Sequence, residues 1–531
     1  MDLYWLFTWG LATLLLCHVL RAILASQQDA SLPTANIIPS LAPRFLHNLC
    51  FAVKAASIIE YGRHKFKNQA FQIVRSSGNT VVLPPSLLEE LASLPPTMAS
   101  SHTTIAHDLM GRYTGLNRII ASRVHRAVLL RRLTPRLDVL TPALEEELDS
   151  ALEACFGGVT ASDWTVFTPH DCLNHVAARL SLYALVGPKF CRDPAWIGLS
   201  IEYPKYLTLT VVALRLFPTW THPVLSRCIP SFWKCQGLFK FGQEYLGPYI
   251  TELLAKHDSG SWNPGETSEE DSLLHWLVAM AKGADRNAET IAHIEVFMTM
   301  AAIHTTLQSL VNAFYDLVES GPALTSELLA EIDRVRSSSS EGWGPHLYDK
   351  LPKLDSVLRE SLRASPPMIL AMKRLFLQPY TFSTGFHAPA GTFVCMPACA
   401  DPEHGEVESA SSPHGSTTAF DGLRSFRVSL PTEAGKSLSS VNSSRNGSAS
   451  KQPLFTSPSP DILSFGFGKG ACPGRFIASR ELKIVLVKVL TEYEFKYAEG
   501  DGPAPKMMFY EFFFRSPKQK MLIKRKEYNG A

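Results

Sequence analysis

The spacing of apolar residues predicts a chain that is mostly helical. In the segment 140–156, apolar residues recur every three or four positions with acidic residues opposite, and Thr141-Pro142 marks a helix start. The segment 288–321 is apolar nearly all round and ends at Gly321-Pro322, so we expect one helix of over thirty residues through the middle of the protein. Another helix is predicted at 352–365, and short strands follow from 373. The expected fold is mainly α with a small β part.

The first residues predict a membrane anchor. Residues 3–20 contain no Asp, Glu, Lys or Arg, and a run of this length spans a bilayer. Asp2 before the run and a poor cleavage site at 23–26 favour an uncleaved anchor, 1–24, over a signal peptide or a buried helix. The first basic residue follows the run, which favours a single pass with the rest of the chain in the cytoplasm.

The remaining chain divides into a linker and one large domain. Three prolines mark a linker at 25–49, and we expect 50–531 to form a single domain. Within it, the Ser-rich stretch 437–453 predicts a mobile surface loop. The net charge of +2 argues against a nucleic-acid partner.

The cysteines are scattered, which indicates buried thiols rather than a disulfide framework. There are ten, without a repeated spacing. Cys395 and Cys399, with His404 nearby, resemble a zinc site, but a buried strand thiol is the favoured interpretation.

The segment 464–476, SFGFGKGACPGRF, concentrates glycines around one cysteine just before a predicted helix. One interpretation is a dinucleotide-binding loop, because Gly466, Gly468 and Ala471 fit G-x-G-x-x-[G/A]. That fold needs alternating strands and helices afterwards, and only about 60 residues remain. The other interpretation is a metal-binding thiolate, favoured by the following helix N-terminus. Glycines let a flat cofactor approach the backbone, and a lone thiolate suits a haem iron better than zinc or an iron–sulfur cluster. A structural cysteine in a glycine-rich turn would leave the spacing unexplained.

Phe465-x-x-Gly468-x-x-x-Cys472-x-Gly474 resembles the haem-binding signature of cytochrome P450 monooxygenases, and ACPGRF is typical of fungal members. The resemblance implies the cytochrome P450 fold, with a haem between the long central helix and the cysteine loop. It also implies that Cys472 is the axial ligand and that Phe465, Gly468 and Gly474 belong to the haem-binding loop.

The candidate contacts to the haem propionates depart from the family pattern at one position. Gly470 stands where the family usually has Arg or His. Lys469 is one candidate for the missing contact, and Arg374 stands where the family commonly has an arginine. The basic segment 121–137 resembles a propionate-contacting helix of the family, but its register does not separate four candidates, His125, Arg126, Arg131 and Arg132.

Glu360 and Arg363 match the E-x-x-R motif of the family. Taken alone, they are an ordinary pair on one helix face. The segment 420–424, FDGLR, resembles the region that completes this motif, so the resemblance implies a buried structural triad of Glu360, Arg363 and Arg424. The stretch before Phe420 is longer than usual, and Ser425 interrupts the expected Arg-aromatic pair.

The sequence AAIHTT, 301–306, resembles the oxygen-side motif [A/G]-G-x-[D/E]-T-[T/S]. The resemblance puts Thr305 at the proton-delivery position and His304 in place of the acid, where it can relay protons near neutral pH. The alternative is a Thr–Thr pair that only hydrogen-bonds back to its own helix.

The resemblance implies a membrane-anchored monooxygenase of the endoplasmic reticulum that oxidises a lipophilic secondary metabolite, either terpenoid or polyketide-derived. Electrons are expected from NADPH-cytochrome P450 reductase, with cytochrome b5 as a further candidate donor. The apolar stretch 203–220 suits an access channel or a membrane contact, and equally a plain core helix. Two other functions remain open: an oxygen-independent haem-thiolate isomerase or dehydratase, and a non-catalytic haem-binding membrane protein.

Overall fold

The computed structural model describes Thr13, residues 32–399 and residues 454–527, apart from short gaps at 36, 40–41, 43, 76–77, 118–121, 267–269 and 340–342. The predicted anchor at 1–24 (Thr13 apart), Arg424 and the Ser-rich stretch 437–453 lie outside the described residues.

Helices make up most of the described chain, as predicted. They are α1 Arg44–Lys65, α2 Leu88–Ser93, α3 Ser101–Asp108, α4 Gly111–Thr114, α5 Val124–Val128, α6 Leu137–Phe156, α7 Pro169–Val186, α8 Pro188–Cys191, α9 Pro194–Arg215, α10 His222–Cys228, α11 Pro230–Asp258, α12 Leu273–Met280, α13 Ala288–Glu319, α14 Pro322–Ser337, α15 Pro352–Ala364 and α16 Arg475–Glu492.

The long helix α13 runs through the centre, as its apolar surface predicts. The side chain of Asn287 caps its start by accepting a 2.8 Å hydrogen bond from Thr290 N. It packs against α7, α9, α11, α12, α14, α15 and α16. Among the described residues, α13 alone is long and apolar enough to cross a bilayer, and most of its surface is buried inside the protein. Its composition is therefore that of a core helix.

The strands are short and mostly antiparallel. They are β1 Phe71–Arg75, β2 Gly78–Val82, β3 Ala99–Ser100, β4 Thr165–Phe167, β5 Leu370–Phe376, β6 Tyr380–Thr381, β7 His387–Ala388, β8 Phe393–Pro397, β9 Tyr493–Lys496, β10 Lys506–Phe509, β11 Phe512–Arg515 and β12 Met521–Arg525. The largest sheet has the order β1-β2-β8-β5-β3, in which β2 and β8 run parallel. The helix α16 leads into β9, which pairs antiparallel with β12. This arrangement contradicts the dinucleotide-binding interpretation, which needs a parallel strand after the helix.

A helix begins within the predicted linker, and helix α6 begins earlier than predicted. Helix α1 begins at Arg44, inside the predicted linker, and Gln72 N donates to Pro33 O at 2.9 Å, so part of that linker joins the sheet edge. Helix α6 begins at Leu137, and Pro142 lies inside it. Helical turns are continuous from Val124 onward, so the proline does not have to start a helix.

Candidate active site

The backbone around Cys472 forms a closed loop. Cys472 N donates to Phe465 O at 2.7 Å, and one 3-10 turn, Gly468–Gly470, lies between them. Gly466 and Gly468 have φ of +71° and +61°, in the left-handed region that side chains with a Cβ disfavour. The Phe465 ring packs edge-on against Phe455 with centroids 5.2 Å apart. These glycines therefore shape the loop as well as leaving its surface bare.

The sulfur of Cys472 points at a helix start. It is partly exposed and lies beside the backbone N–H groups of Gly474 and Arg475, and a Cβ built on Gly474 would be 3.9 Å from it. Burial raises the pKa of the Cys472 thiol, while these two N–H groups and the Arg475 charge oppose that rise. Arg475 also donates to Cys472 O at 2.7 Å. Backbone donors aimed at a sulfur are the environment that a metal-bound thiolate needs.

The residues before the loop are attached to strand β8. Leu463 N donates to Ala398 O at 2.6 Å, and Cys399 and Ile462 form an isolated antiparallel bridge. The thiol of Cys399 donates to Arg363 O at 3.2 Å, which connects this bridge to helix α15. The loop position is therefore set by a sheet and a helix together.

Two guanidinium groups lie beside the loop. Arg374 on β5 is 9% exposed, and a Cβ built on Gly470 would lie 2.6 Å from its Nη2. Arg126 on α5 donates to the backbone carbonyl of Lys469 and, at 3.4 Å, to that of Ala471. Burial lowers the pKa of Arg374, and Arg126 lowers it further. An anion bound here would relieve both effects.

Two histidines lie next to the guanidinium groups of Arg374 and Arg126, and the four side chains together are called the cationic group below. The rings of His102 and His125 lie 6.2 Å apart, and the Nδ1 atom of each is buried without a hydrogen-bond partner. Burial lowers the pKa of His125 to about 4. Burial and then Arg123, Arg126 and Arg374 lower the pKa of His102. His102 lies at the start of α3 in no recognisable motif, so sequence reasoning missed it.

The structure distinguishes the four candidates from segment 121–137. His125 and Arg126 face the cationic group just described. Arg131 and Arg132 are exposed, and Arg132 stacks on the Trp276 ring at 5.0 Å. Lys469 is also exposed. The contact that the structure shows between Lys469 and these residues is made by its backbone carbonyl, which accepts from Arg126.

These residues fit a haem. The loop offers one sulfur with backbone donors and a bare glycine surface. The cationic group offers two guanidiniums and two unpartnered ring nitrogens for the two carboxylates on one edge of the porphyrin. No cluster of three or more His, Cys, Asp or Glu suited to a metal ion exists among the described residues. Cys395 is buried in β8, where burial raises its pKa to about 12, as expected for a structural thiol.

The candidate oxygen-side motif, 301–306, lies on α13. Thr305 is exposed although the helix around it is largely buried, and its hydroxyl donates to Ala301 O at 2.8 Å. Its neighbour Thr306 is buried. His304 has a buried Nε2 without a partner, and burial, with a smaller effect of His170, lowers its pKa to about 4. Thr305 thus makes the predicted back-bond and also presents its side chain to open space.

Glu360 and Arg363 pair as the sequence predicts. Arg363 donates to both oxygens of Glu360, at 2.9 Å from Nε and 2.6 Å from Nη2. The predicted third member, Arg424, lies outside the described residues.

Comparison with known proteins decides the family. The sequence model described as Cytochrome P450 matches residues 115–401 and 444–523. The chain belongs to the cytochrome P450 family. It is therefore a monooxygenase of a family that binds haem through a cysteine thiolate.

Several fungal cytochrome P450 enzymes align with nearly the whole chain. Cytochrome P450 monooxygenase AN1598 of Emericella nidulans is 30% identical over 97% of this chain and 92% of its own length. Ent-kaurene oxidase P450-4 of Gibberella fujikuroi is 28% identical over 99% of this chain and 98% of its own. Cytochrome P450 monooxygenase olcJ of Penicillium canescens is 30% identical over 91% and 86%.

Proposed function

We propose that this cytochrome P450 oxidises a lipophilic intermediate of fungal secondary metabolism, terpenoid or polyketide-derived, with Cys472 as its axial haem ligand. The observation that carries the ligand assignment is the place of the Cys472 sulfur, which lies beside two backbone N–H groups at a helix start and inside a glycine-shaped loop. The bound haem supplies the oxygen-activating chemistry, and the protein positions substrate and protons.

The remaining site residues have distinct proposed roles. Arg374 and Arg126, with His102 and His125, bind the propionates, and Phe465, Gly468 and Gly474 shape the loop. The Glu360–Arg363 pair, completed by Arg424, holds the core beneath the haem. Lys469 contributes through its carbonyl, which anchors Arg126.

Thr305 is proposed to hold a proton on the oxygen side. Its single O–H donates to Ala301 O in this structure, so the oxygen can accept a hydrogen bond from the open side, and rotation of the hydroxyl would turn the O–H toward that side. His304 precedes it, and because burial lowers its pKa to about 4, the ring is neutral at pH 7. A neutral imidazole has one donor and one acceptor nitrogen, so it can pass a proton without becoming a stable cation. Thr305 also argues against the oxygen-independent isomerase or dehydratase.

The substrate class is supported by the relatives and by α9. One relative is named an ent-kaurene oxidase, so ent-kaurene is a reasonable first compound to test. Helix α9 covers most of the apolar stretch 203–220, and Leu207 and Val211 are buried while Leu209 is exposed. A helix with apolar side chains on its exposed as well as its buried side suits contact with a lipophilic ligand or a membrane.

Electrons are proposed to come from NADPH-cytochrome P450 reductase, with cytochrome b5 as a further donor, and a basic surface of this chain is proposed to receive acidic side chains of the donor. Arg123, Arg131 and Arg132 are exposed near α5, whose Arg126 contacts the cysteine loop. If this basic surface receives the donor, raising the ionic strength slows reduction in the wild type and less in an Arg131→Gln/Arg132→Gln variant. An identical salt dependence in both would contradict the docking surface.

The chain is proposed to associate with the endoplasmic reticulum membrane through residues 1–24 and through an apolar surface. Phe45, Leu49 and Val53 are exposed on α1. Trp220 and Val224 are exposed after α9. Asn48 Nδ2 donates to Arg215 O at 2.7 Å, which joins these two regions. A variant without residues 1–24 should still bind vesicles, and Trp220→Ser/Val224→Ser in that variant should release it.

The deciding experiment is the absorption spectrum of the reduced, carbon-monoxide-bound protein, wild type beside Cys472→Ala. A strongly red-shifted Soret band in the wild type, lost in the variant, supports thiolate ligation by Cys472. A well-folded wild type without that band contradicts the assignment. A panel of compounds from ent-kaurene to small polar molecules then tests the substrate class: spectral shifts with polar compounds alone would contradict a lipophilic substrate.

A further inference from the structure

Two cysteines lie opposite each other where helices α6 and α7 pack together. Cys155 is the next-to-last residue of α6, and Cys172 is in the first turn of α7. The Sγ of Cys155 lies 4.0 Å from the backbone oxygen of Cys172. Neither residue belongs to the haem-binding site described above.

The packing of the two helices fixes this encounter. Arg179 of α7 pairs with Glu147 of α6 and donates from Nη2 to the hydroxyl of Ser150 at 3.1 Å. About two helical turns from this ion pair, toward the end of α6 and the start of α7, the antiparallel helices bring Cys155 opposite Cys172. The two thiols are therefore held together by contacts in which they take no part.

The thiol of Cys155 differs from the other cysteines because of its neighbour. The Cys172 thiol lowers the pKa of Cys155, although burial opposes this effect, and the charge of Arg179 lowers it further. The same contact raises the pKa of Cys172, and burial adds to that rise. At five other described cysteines burial raises the pKa: Cys191, Cys235, Cys395, Cys399 and Cys472. Cys155 therefore loses its proton more readily than Cys172.

The two cysteines also differ in their access to solvent. Cys155 is partly exposed, whereas Cys172 is only 8% exposed. Thiolate character and exposure together decide which cysteine is oxidised, and Cys155 has both. A metal site is not an alternative, because no cluster of three or more His, Cys, Asp or Glu suited to a metal ion occurs in the part of the chain that the structure describes.

We propose that Cys155 and Cys172 form a reversible disulfide in response to hydrogen peroxide, with Cys155 as the sulfur that peroxide attacks and Cys172 as the sulfur that resolves it. The inference goes beyond the proposed function and depends neither on the substrate nor on the role of Thr305. Peroxide is also what a monooxygenase releases when two electrons and two protons reach oxygen but no atom enters a substrate. In a reducing compartment such a disulfide is transient, as expected of a redox-sensing pair.

The chemistry proceeds in two balanced steps. The Cys155 thiolate attacks one oxygen of hydrogen peroxide, the O–O bond breaks, and the products are a Cys155 sulfenic acid and hydroxide. The Cys172 thiol then attacks the Cys155 sulfur. The S–S bond forms, the S–O bond breaks, and the leaving hydroxide takes the thiol proton to become water. Two electrons pass from the two sulfurs to peroxide, and a dithiol reductant restores both thiols by exchange.

The disulfide restrains a segment that touches the central helix. The two cysteines are 17 positions apart, and the segment between them contains β4. Within it, the Phe167 ring lies edge-on to Phe314 of α13, with centroids 6.4 Å apart. Because closing a loop of this length constrains the unfolded chain, the oxidised protein should melt a few degrees higher than the reduced protein.

The test exposes the haem-loaded full chain to hydrogen peroxide in small steps, blocks free thiols with N-ethylmaleimide and digests the protein without reduction for mass spectrometry. The wild type should yield a linked pair of peptides containing Cys155 and Cys172, and dithiothreitol should abolish it. Haem absorbance is followed at each step, so that bleaching of the haem is distinguished from oxidation of the thiols. Oxidation of Cys155 to the sulfinic acid while Cys172 stays free would overturn the proposal.

Two variants separate the roles of the two sulfurs. In Cys172→Ser, dimedone should label Cys155 as a sulfenic acid, because no thiol resolves it. In Cys155→Ser, Cys172 should be oxidised at least about ten-fold more slowly than Cys155 is in the wild type, because one unit of difference in pKa already gives this factor in thiolate. Equal oxidation of the remaining cysteine in both variants would contradict the assigned roles.

The matched control is Cys228→Ser. Cys228 is exposed, and its thiol donates to Val224 O of its own helix at 3.8 Å. This variant should form the linked peptides at the wild-type rate, and its melting temperature should rise after peroxide as the wild type's does. Cys172→Ser should show no such rise. A rise of equal size in Cys172→Ser would mean that the stabilisation does not come from a disulfide, and would count against the proposal.

Discussion

The Arg374 guanidinium fills the space into which a side chain at Gly470 would extend, because a Cβ on Gly470 would lie 2.6 Å from Arg374 Nη2. In this chain a cation from strand β5 therefore lies beside Gly470. Gly470 has no side chain, so the space beside it is available. Arg374 occupies that space and donates from Nη1 to Lys373 O at 2.8 Å.

This relationship predicts a compensating pair of substitutions. Arg374→Ala should release haem faster by about ten-fold or more, since a hydrogen bond to a charged group contributes about 1.5–3 kcal/mol. Adding Gly470→Arg to Arg374→Ala should restore much of the retention, because it returns a cation to the same space. Haem transfer to apomyoglobin measures the rate. A double variant that loses haem as fast as Arg374→Ala would contradict the shared role.

The two adjacent threonines of α13 provide an internal comparison. Thr305→Val should direct at least about ten-fold more of the NADPH electrons to hydrogen peroxide per product formed, since it removes the exposed hydroxyl proposed to hold a proton. Thr306→Val makes the same substitution at a buried hydroxyl and should leave this ratio of peroxide to product near the wild-type value. The measurement is peroxide and product per NADPH, with a panel compound that gives a spectral shift. Similar ratios in both variants would remove Thr305 from proton delivery.

Glu481 on α16 should make stability fall as the pH rises. Burial raises its pKa to about 8 from an ordinary value of 4.5, although Ser181 donates to it at 2.9 Å. Below pH 4.5 both the folded and the unfolded state hold the proton. Between 4.5 and 8 only the folded state keeps it, so the free energy of unfolding decreases through that window and is lowest above pH 8.

Glu481→Gln should abolish this dependence and stabilise the protein at pH 7 by about 1–3 kcal/mol, because the amide stays neutral and can still accept from Ser181. Melting temperatures of the two proteins at pH 5, 6, 7 and 8 test the prediction. Their difference should widen with pH; a constant difference would show that Glu481 does not titrate in this window.

A buried ion network joins the sheet to α3 and α9. Glu511 accepts from Lys373 Nζ at 3.0 Å and lies 3.4 Å from Arg75 Nη2 and 3.5 Å from Arg215 Nη1. Lys373 Nζ also donates to Asp108 at 2.6 Å. Although burial opposes it, the charges of Arg75, Lys373 and Arg215 hold the pKa of Glu511 well below its usual value.

Glu511→Gln should destabilise the fold by about 3–5 kcal/mol, because it leaves buried cations without their carboxylate. The control is Glu494→Gln, whose side chain is 49% exposed and 3.9 Å from Lys524. That substitution should cost less than about 1 kcal/mol. Denaturant unfolding of both variants gives the comparison, and equal losses would mean that the network adds nothing beyond a surface pair.

Local patterns predicted the parts of this molecule whose causes are local. Helix α13 follows from one continuous apolar segment, and the Cys472 loop follows from glycines that allow left-handed backbone. His102 reaches His125 only because α3 and α5 come together in the folded chain, and neither segment carries a sequence signal for the other. The same reason hid the relation of Arg374 to Gly470, which depends on the approach of β5 to the loop.

The hydrogen bond between Leu463 and Ala398 has a consequence for how the sequence of this chain can evolve. The hydrogen bond from Leu463 N to Ala398 O, at 2.6 Å, and the bridge of Cys399 with Ile462 bring the two ends of the intervening sequence together. Doubling the length of a closed segment costs only about 0.6 kcal/mol in chain entropy. Insertions and deletions in the Ser-rich stretch 437–453, which does not include Arg424, are therefore expected to accumulate without displacing the sulfur of Cys472, which leaves this part of the gene open to rapid divergence.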